Sequence, residues 1–498
     1  MNAAPKYRSA LTASGVYFAF QALRMVAGFV SMPVLTRALT KEEYGLLNLT
    51  FATVGILALV GRLGFSEAIV RFYYERSQQG VKQLREFCGT MLTGALLTGV
   101  LVAFVTLAGI RWIAPHQNTA RCLRIALLVV VLRSVLGVVY QIYRGQERAV
   151  AYSIAQIATR YAALAVAIAI LVVSGLTAYE VLVATVVGEG LVAVACLSEF
   201  AARGVVGRPR LSRRHFHEAF SYGAPLAVGL YGTFFLDYGD RFLIERFLGL
   251  DAVATYSVPY DLASTLAAAV FESLKLALMP VIFRLWESDG RATTSAFVSQ
   301  VLTYTVAAAI PGIVLFVATS HDLIVLLSSA KYSGSAGLMV YLAPGVFMGE
   351  LNFLVASGLL ISKGTMSLAA LTLASSAVNV LLNLVLLPHW GLAGAGAATT
   401  VAYGVLMLGT FLVSRRTLDF QVKGLVLAEA ALATAVMLAA LRVVGQVSAQ
   451  PAVALLVRGG IGAGVAAVCL SVLDREIRQR TWLRAVRGLK PSLGSVVE

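Results

Sequence analysis

Catalytic side chains are scarce in this chain, and the few present are scattered. Its 498 residues include 5 histidines and 4 cysteines. His116, His215, His217, His321 and His389 lie in connections or at the ends of hydrophobic runs. No HExxH, GxSxG or GxxxxGK[ST] motif occurs, so the sequence offers no zinc-peptidase, serine-hydrolase or P-loop site. Cys88, Cys122, Cys196 and Cys469 form no CxxC or Cys/His spacing. Neither a disulfide framework nor a metal site is expected, and the chain reads as a non-enzyme. Charge is also sparse, at 13% of residues, where a soluble protein carries about 25%. No polar stretch is long enough for a soluble domain of ordinary size.

What fills the chain is hydrophobic sequence, 59% of residues with a mean hydropathy of +0.82. A bilayer crossing needs about 20 apolar residues. On that basis spans are expected at 12–36, 45–65, 87–110, 122–143, 150–174, 178–200, 219–247, 252–283, 293–318, 335–361, 366–388, 392–414, 424–443 and 452–473. The first run is too long for the apolar core of a signal peptide and is expected to stay as a span. The fold class is therefore an all-α polytopic membrane protein of about fourteen transmembrane helices. The net charge is +15. With the N-terminus inside, the even-numbered connections and both ends hold 25 basic residues and the odd-numbered connections 7. That asymmetry puts both termini in the cytoplasm and calls for an even number of spans. The basic surplus then faces anionic lipid, and no nucleic acid partner is expected.

The most polar mid-chain connection, RGVVGRPRLSRRHFH from Arg203 to His217, follows the sixth span. Arg37-Ala-Leu39 with Glu42 and Arg246-Phe-Leu248 with Asp251 repeat across it at an offset of 209 residues. Six spans per unit is even, so both units point the same way. Two parallel six-helix lobes around a central cavity follow, related by an axis along the membrane normal. The expected division is 1–210 for the first lobe, 211–417 for the second, and 418–498 for two extra helices and a basic cytoplasmic tail. The tail either lies on the leaflet as an amphipathic helix or only fixes topology.

Charges inside spans mark candidate sites, because each one costs free energy in hydrocarbon. Arg24 is the only charge in the first run, near its centre, where it costs about 2.5–3.5 kcal/mol. Arg133 and Arg160 lie within the fourth and fifth spans, and Arg241 within the seventh. An arginine fork suits phosphate, so these four are the candidate cavity contacts for an anion. Each can instead pair with a neighbour or snorkel to the polar edge. Asp237, Arg241 and Glu245 follow at steps of four, with Asp240 beside them. They form either a self-neutralised ladder or a gate and ion-coupling set. Glu272 and Lys275, one turn apart, are expected to pair with each other and are the further gating or ion-coupling candidates. Glu189 and Glu350 are isolated acids, and Asn379 and Asn383 share a face suited to interhelical hydrogen bonds.

Three stretches carry a family resemblance. They are Pro33-Val-Leu-Thr-Arg-Ala-Leu-Thr-Lys-Glu-Glu-Tyr-Gly-Leu-Leu47 with Arg62-Leu-Gly-Phe-Ser-Glu-Ala-Ile-Val-Arg-Phe-Tyr73; Asp240-Arg-Phe-Leu-Ile-Glu-Arg-Phe-Leu-Gly249 running to Tyr256-Ser-Val-Pro; and Leu387-Pro-His-Trp-Gly-Leu-Ala-Gly-Ala-Gly-Ala-Ala398. Together they resemble the polysaccharide (Wzx-type) flippases of the multidrug/oligosaccharidyl-lipid/polysaccharide exporter superfamily. The resemblance implies alternating access and a substrate of undecaprenyl-diphosphate-linked oligosaccharide. It would be moved from the cytoplasmic to the outer leaflet of the bacterial plasma (inner) membrane for surface polysaccharide assembly. It also implies membrane lipids, a polysaccharide polymerase and export machinery as partners, and the last two spans as a groove for the polyprenyl tail. No cofactor is expected, and H+ or Na+ is the coupling ion to test. The competing readings are an ion-coupled multidrug or metabolite exporter, which needs an acidic cavity, and a membrane-embedded glycosyltransferase or polymerase. The latter needs a longer outer loop with acids or histidine.

Overall fold

The computed structural model describes residues 23, 26–113, 117–206, 211–445 and 450–473. Among these the ordered elements are helical. The first is α1 (Val26–Ala38). Next come α2 (Lys41–Arg62), α3 (Phe65–Gln78), α4 (Val81–Ala108), the single turn α5 (Ile110–Ile113), α6 (Gln117–Gly145), α7 (Ala149–Ser174) and α8 (Ala178–Ala202). The second half holds α9 (Arg213–Leu248), α10 (Leu250–Ala318), the short α11 (Ser320–Leu327), a 3-10 segment (Ala330–Leu338), α12 (Met339–Ile361) and α13 (Thr365–Ser414). Two further helices, α14 (Gly424–Val444) and α15 (Pro451–Leu473), follow.

Ten of these helices, counting the 3-10 segment with α12, are long and apolar enough to cross a bilayer, and the bent α9 makes an eleventh. At 69 residues, α10 would be about 100 Å long if straight, over three times the hydrocarbon thickness. It is two helices broken at Gly290, where φ is 76°. Likewise α13 breaks at Gly391, where φ is 58°. Dividing both at these glycines yields thirteen segments that follow the expected boundaries closely. The first expected span lies partly outside the described residues, where only α1 represents it.

The outer surface is apolar in the way a membrane requires. Phe104, Val173, Val443 and Leu456 are all more than 65% exposed, which a water-soluble monomer would bury or avoid. Within the N-terminal half, α2 packs on α4 and α6, while α8 packs on α6 and α7. Within the C-terminal half, α13 packs on α9 and α12, and α10 on α12, with α14 and α15 against α10 and α11. The halves meet where α2 packs on α9 and α10, and where α3 packs on α9.

The family stretches now have physical reasons. Thr40 caps α2 by accepting from the Glu43 amide at 3.2 Å, and Glu42 and Glu43 oppose the positive end of the helix dipole. Tyr44 and Gly45 are buried next. Gly45 lies against the Leu250 carbonyl at the start of α10, where any side chain would collide. At the other end of α2, Leu63 and Gly64 turn the chain with positive φ. Gly64 lies backbone to backbone with Gly223 of α9. Each stretch thus permits a close approach between the two halves, one on each face of the membrane.

Candidate functional site

In the N-terminal half the arginines line up on neighbouring helices. Arg62 ends α2 and lies over Gly137 of α6, donating from Nε to the Ala58 carbonyl at 3.3 Å. Arg133 of α6 meets Glu189 of α8 through Nε at 2.9 Å and Nη2 at 2.8 Å, both to Oε1. This forked pair is half open: 36% of the Arg133 side chain is exposed against 5% for Glu189. The Arg133 guanidinium lies 5.4 Å from the ring centre of Phe51 on α2. Arg62 and Arg133 are close enough to repel, and Tyr231 of α9 reaches the same neighbourhood. Arg160 of α7 is exposed and lies within electrostatic range of Tyr238 on α9. Arg24 lies outside the described residues.

The C-terminal half gathers acids around one buried arginine. Arg241, 1% exposed, donates from Nη2 to Asp261 of α10 at 3.0 Å and approaches Asp240 at 3.4 Å. Its Nη1 also reaches the backbone oxygen of Asp237 at 2.8 Å. Tyr238 and Tyr260 place their rings 4.8 and 4.6 Å from its guanidinium. Asp240 accepts from Tyr256 through a short bond and from Thr399 at 3.4 Å. Asp237 accepts from Tyr403 at 2.5 Å. Asn379 extends the network to Thr399 at 3.4 Å, and Asn383 donates to the Asn379 carbonyl at 2.9 Å. The side-chain oxygen of Asn383 is buried without a partner.

The charge ladder expected along α9 is therefore corrected. Arg241 turns across to Asp261 of α10, and no ion pair joins it to Glu245 among the described residues. The Asp261 carboxylate, at 3.0 Å, is closer to Arg241 than the Asp240 carboxylate of α9, at 3.4 Å. Arg241 is also enclosed by acids and rings, so in this conformation it presents no open surface. Glu272 and Lys275 pair as expected, at 3.2 Å. Glu350 of α12 lies within electrostatic reach of Glu272, Lys275 and Asp237. Glu189, read as isolated, is the partner of Arg133. Three groups of residues escaped the sequence reading: Arg62, Asp261, and the hydroxyls of Tyr256, Tyr260, Tyr403 and Thr399. Arg62 and Asp261 carried the same signal that marked Arg24, a charge within an apolar run. The hydroxyls carried none, because tyrosine and threonine are ordinary span residues.

Both faces are closed across the halves. On the face carrying the arginine-rich connections, Arg76 of α3 pairs with Glu218 of α9 at 2.6 Å. Phe65 packs on Phe216 at 5.5 Å and Phe72 on Tyr222 at 5.4 Å. On the opposite face, Arg37 donates to the carbonyls of Ser328 and Leu326 at 3.0 Å each. Lys331 reaches the Leu39 carbonyl, and Tyr44 meets Tyr332 at 5.9 Å. The cation contacts to Ser328 and Leu326 fall at the negative end of α11. Contacts thus join the two halves at both ends of the spans. Chemically the charged residues of the spans offer guanidinium to an anion and carboxylate or hydroxyl to a small cation. No group of three or more metal-binding side chains occurs among the described residues.

Comparison with known proteins agrees with this architecture. A family described as Polysaccharide biosynthesis protein matches residues 11–286. An uncharacterized membrane protein of Methanocaldococcus jannaschii, MJ1068, is 27% identical over 214 residues, or 42% of this chain. That match spans 41% of the relative's length. Among solved structures, the lipid II flippase MurJ in an inward closed conformation superposes with a TM-score of 0.73 at 13% identity. The superposition covers 96% of this chain and 99% of the other. An inward-facing MATE multidrug transporter of the MOP superfamily superposes with a TM-score of 0.60 at 15% identity, covering 80% and 93%. At these identities the structural likeness concerns the fold.

Proposed function

Because the chain belongs to the polysaccharide biosynthesis protein family, we propose that this multi-pass membrane protein flips a lipid-linked oligosaccharide. The substrate is an undecaprenyl-diphosphate-linked sugar, carried from the cytoplasmic to the outer leaflet of a bacterial plasma membrane, with both termini cytoplasmic. The work is divided between two lobes, 1–210 and 211–417, with 418–498 beside them. Alternating access opens one rim at a time. The observation that carries this reading is the placement of Arg62 and Arg133 on neighbouring helices, with Arg133 half open and Arg160 exposed on the next helix. Arg24, outside the described residues, is proposed from the sequence as a further contact for the same anion. Guanidinium forks hold phosphate oxygens in pairs and stay charged in a low-dielectric passage. Glu189 holds the Arg133 fork until the anion arrives.

The acids of the C-terminal half supply coupling in this account. Asp237, Asp240 and Asp261 outnumber Arg241, so the cluster can take up H+ or Na+ as the rims exchange. Glu245, Glu272, Lys275 and Glu350 extend the charged surface of that half. The same acids favour a second reading, an ion-coupled exporter of cationic drugs. Against it, Asp240 is fully buried and its oxygens are engaged by Arg241, Tyr256 and Thr399. Depletion of the protein discriminates the two. Lipid-linked oligosaccharide should accumulate on the cytoplasmic leaflet. Altered drug sensitivity without that accumulation would leave only the exporter.

A further inference from the structure

The face that carries the arginine-rich connections holds an open, shallow cavity of about 770 Å³ along one helix, lined by Arg213, Arg214, His217, Glu218, Ser221 and Tyr222. All six lie in the first three turns of α9. Arg213, His217 and Ser221 repeat at steps of four, as do Arg214, Glu218 and Tyr222, so they form two adjacent stripes on one side of the helix. Neither Arg213 nor Arg214 makes an ion pair or side-chain hydrogen bond among the described residues. The lone acid of the lining, Glu218, is neutralised by Arg76, which is 3% exposed and bridges to it from the other half. Both Glu218 oxygens accept from Arg76 Nη2 at 2.6 Å, while the Arg76 Nε is buried without a partner. The cavity is therefore cationic, carries a hydroxyl and an imidazole, and shares one wall with the contact that closes this rim.

We propose that this cavity binds a phosphate-type anion, and that the anion opens the rim by competing with Glu218 for Arg76. Two guanidinium forks that make no ion pair among the described residues match a phosphate dianion or diphosphate, since paired charge-assisted hydrogen bonds favour it. A bound anion next to Glu218 repels that carboxylate and offers Arg76 a second partner. Breaking the bridge removes the ion pair of this rim and leaves uncharged contacts, among them Phe65 with Phe216, Phe72 with Tyr222, Phe87 with His215 and the Ser212 amide on Thr90. The chemistry fits a free phosphate, the phosphodiester of an anionic lipid, or the diphosphate of a lipid-linked sugar. Only this last source rests on the flippase reading.

The test uses the full-length protein in phosphatidylcholine nanodiscs titrated with inorganic pyrophosphate. R213Q/R214Q should weaken binding by about tenfold or more, given the strength of charge-assisted hydrogen bonds. E218Q should tighten it several-fold, a gain that damage to the fold cannot produce. The titration is repeated in R133Q/E189Q, which removes Arg133 as a second anion site, and R213Q/R214Q should weaken binding by the same factor in that background. Doping the discs with phosphatidylglycerol or with undecaprenyl diphosphate then identifies the source, as the lipid that displaces pyrophosphate. Displacement by neither assigns the cavity to free phosphate. Equal affinity in R213Q/R214Q, or weaker affinity in E218Q, would overturn the proposal. Retained pyrophosphate binding in a protein that flips no lipid would refute the flippase reading alone.

Discussion

Arg133 and Arg241 are both arginines within spans, yet the two halves of the molecule treat them differently. Arg133 has a single carboxylate partner and 36% of its side chain exposed. Arg241 is 1% exposed, touches two carboxylates and a carbonyl, and lies between two tyrosine rings. An arginine that can exchange partners is suited to a travelling anion. One held by several groups at once is suited to keeping acids together. The same residue type therefore serves as a binding group on one side and as an internal counter-ion on the other.

The largest effect should come from removing that counter-ion. Arg241→Met leaves the fully buried Asp240 without a cation and Asp261, 34% exposed, without its partner, and breaking a buried pair costs about 3–5 kcal/mol. Thermal unfolding of the detergent-purified protein should show the lowest midpoint of any variant here. An unchanged midpoint would erase the contrast between the halves. Arg133→Ala should also destabilise, because Glu189 stays buried, but by less, since open Arg133 is partly solvated. Adding Glu189→Ala should return most of the stability while transport stays lost. Recovery of transport in the double variant would make the pair structural. Tyr403→Phe removes one hydrogen bond to Asp237, worth about 1–3 kcal/mol when an acceptor is left buried. It should change the dependence of transport on H+ or Na+ more than it changes the midpoint. Lys275→Gln breaks a pair that is 49% and 34% exposed. Its effect on the midpoint should be the smallest, under about 1 kcal/mol.

The sequence showed the spans well because each is a long apolar run, and helix ends fell within a few residues of the expected boundaries. The breaks at Gly290 and Gly391 were legible for the same reason: polar or aromatic residues interrupt the hydrophobic pattern there. The partnerships were less legible. Arg133 and Glu189 are 56 residues apart, and no helical periodicity links different helices. Arg241 was read along its own helix, where steps of four can be counted, and its true partner Asp261 lies on the next one. The hydroxyl donors Tyr256, Tyr403 and Thr399 were invisible, because their role comes from facing Asp237 and Asp240 and not from their type. The rim contacts were hidden for a further reason. Arg37 and Lys331 donate to backbone carbonyls, which every residue has.

The central claim is that the open arginine pair of the N-terminal half receives the anionic head of a lipid-linked sugar. Its most direct test is a leaflet-accessibility assay in liposomes holding undecaprenyl-diphosphate-linked oligosaccharide. Wild-type protein should carry the lipid to the far leaflet, and R133Q/E189Q, an uncharged pair, should insert and fold but not carry it. Transport by R133Q/E189Q at the wild-type rate would contradict the account.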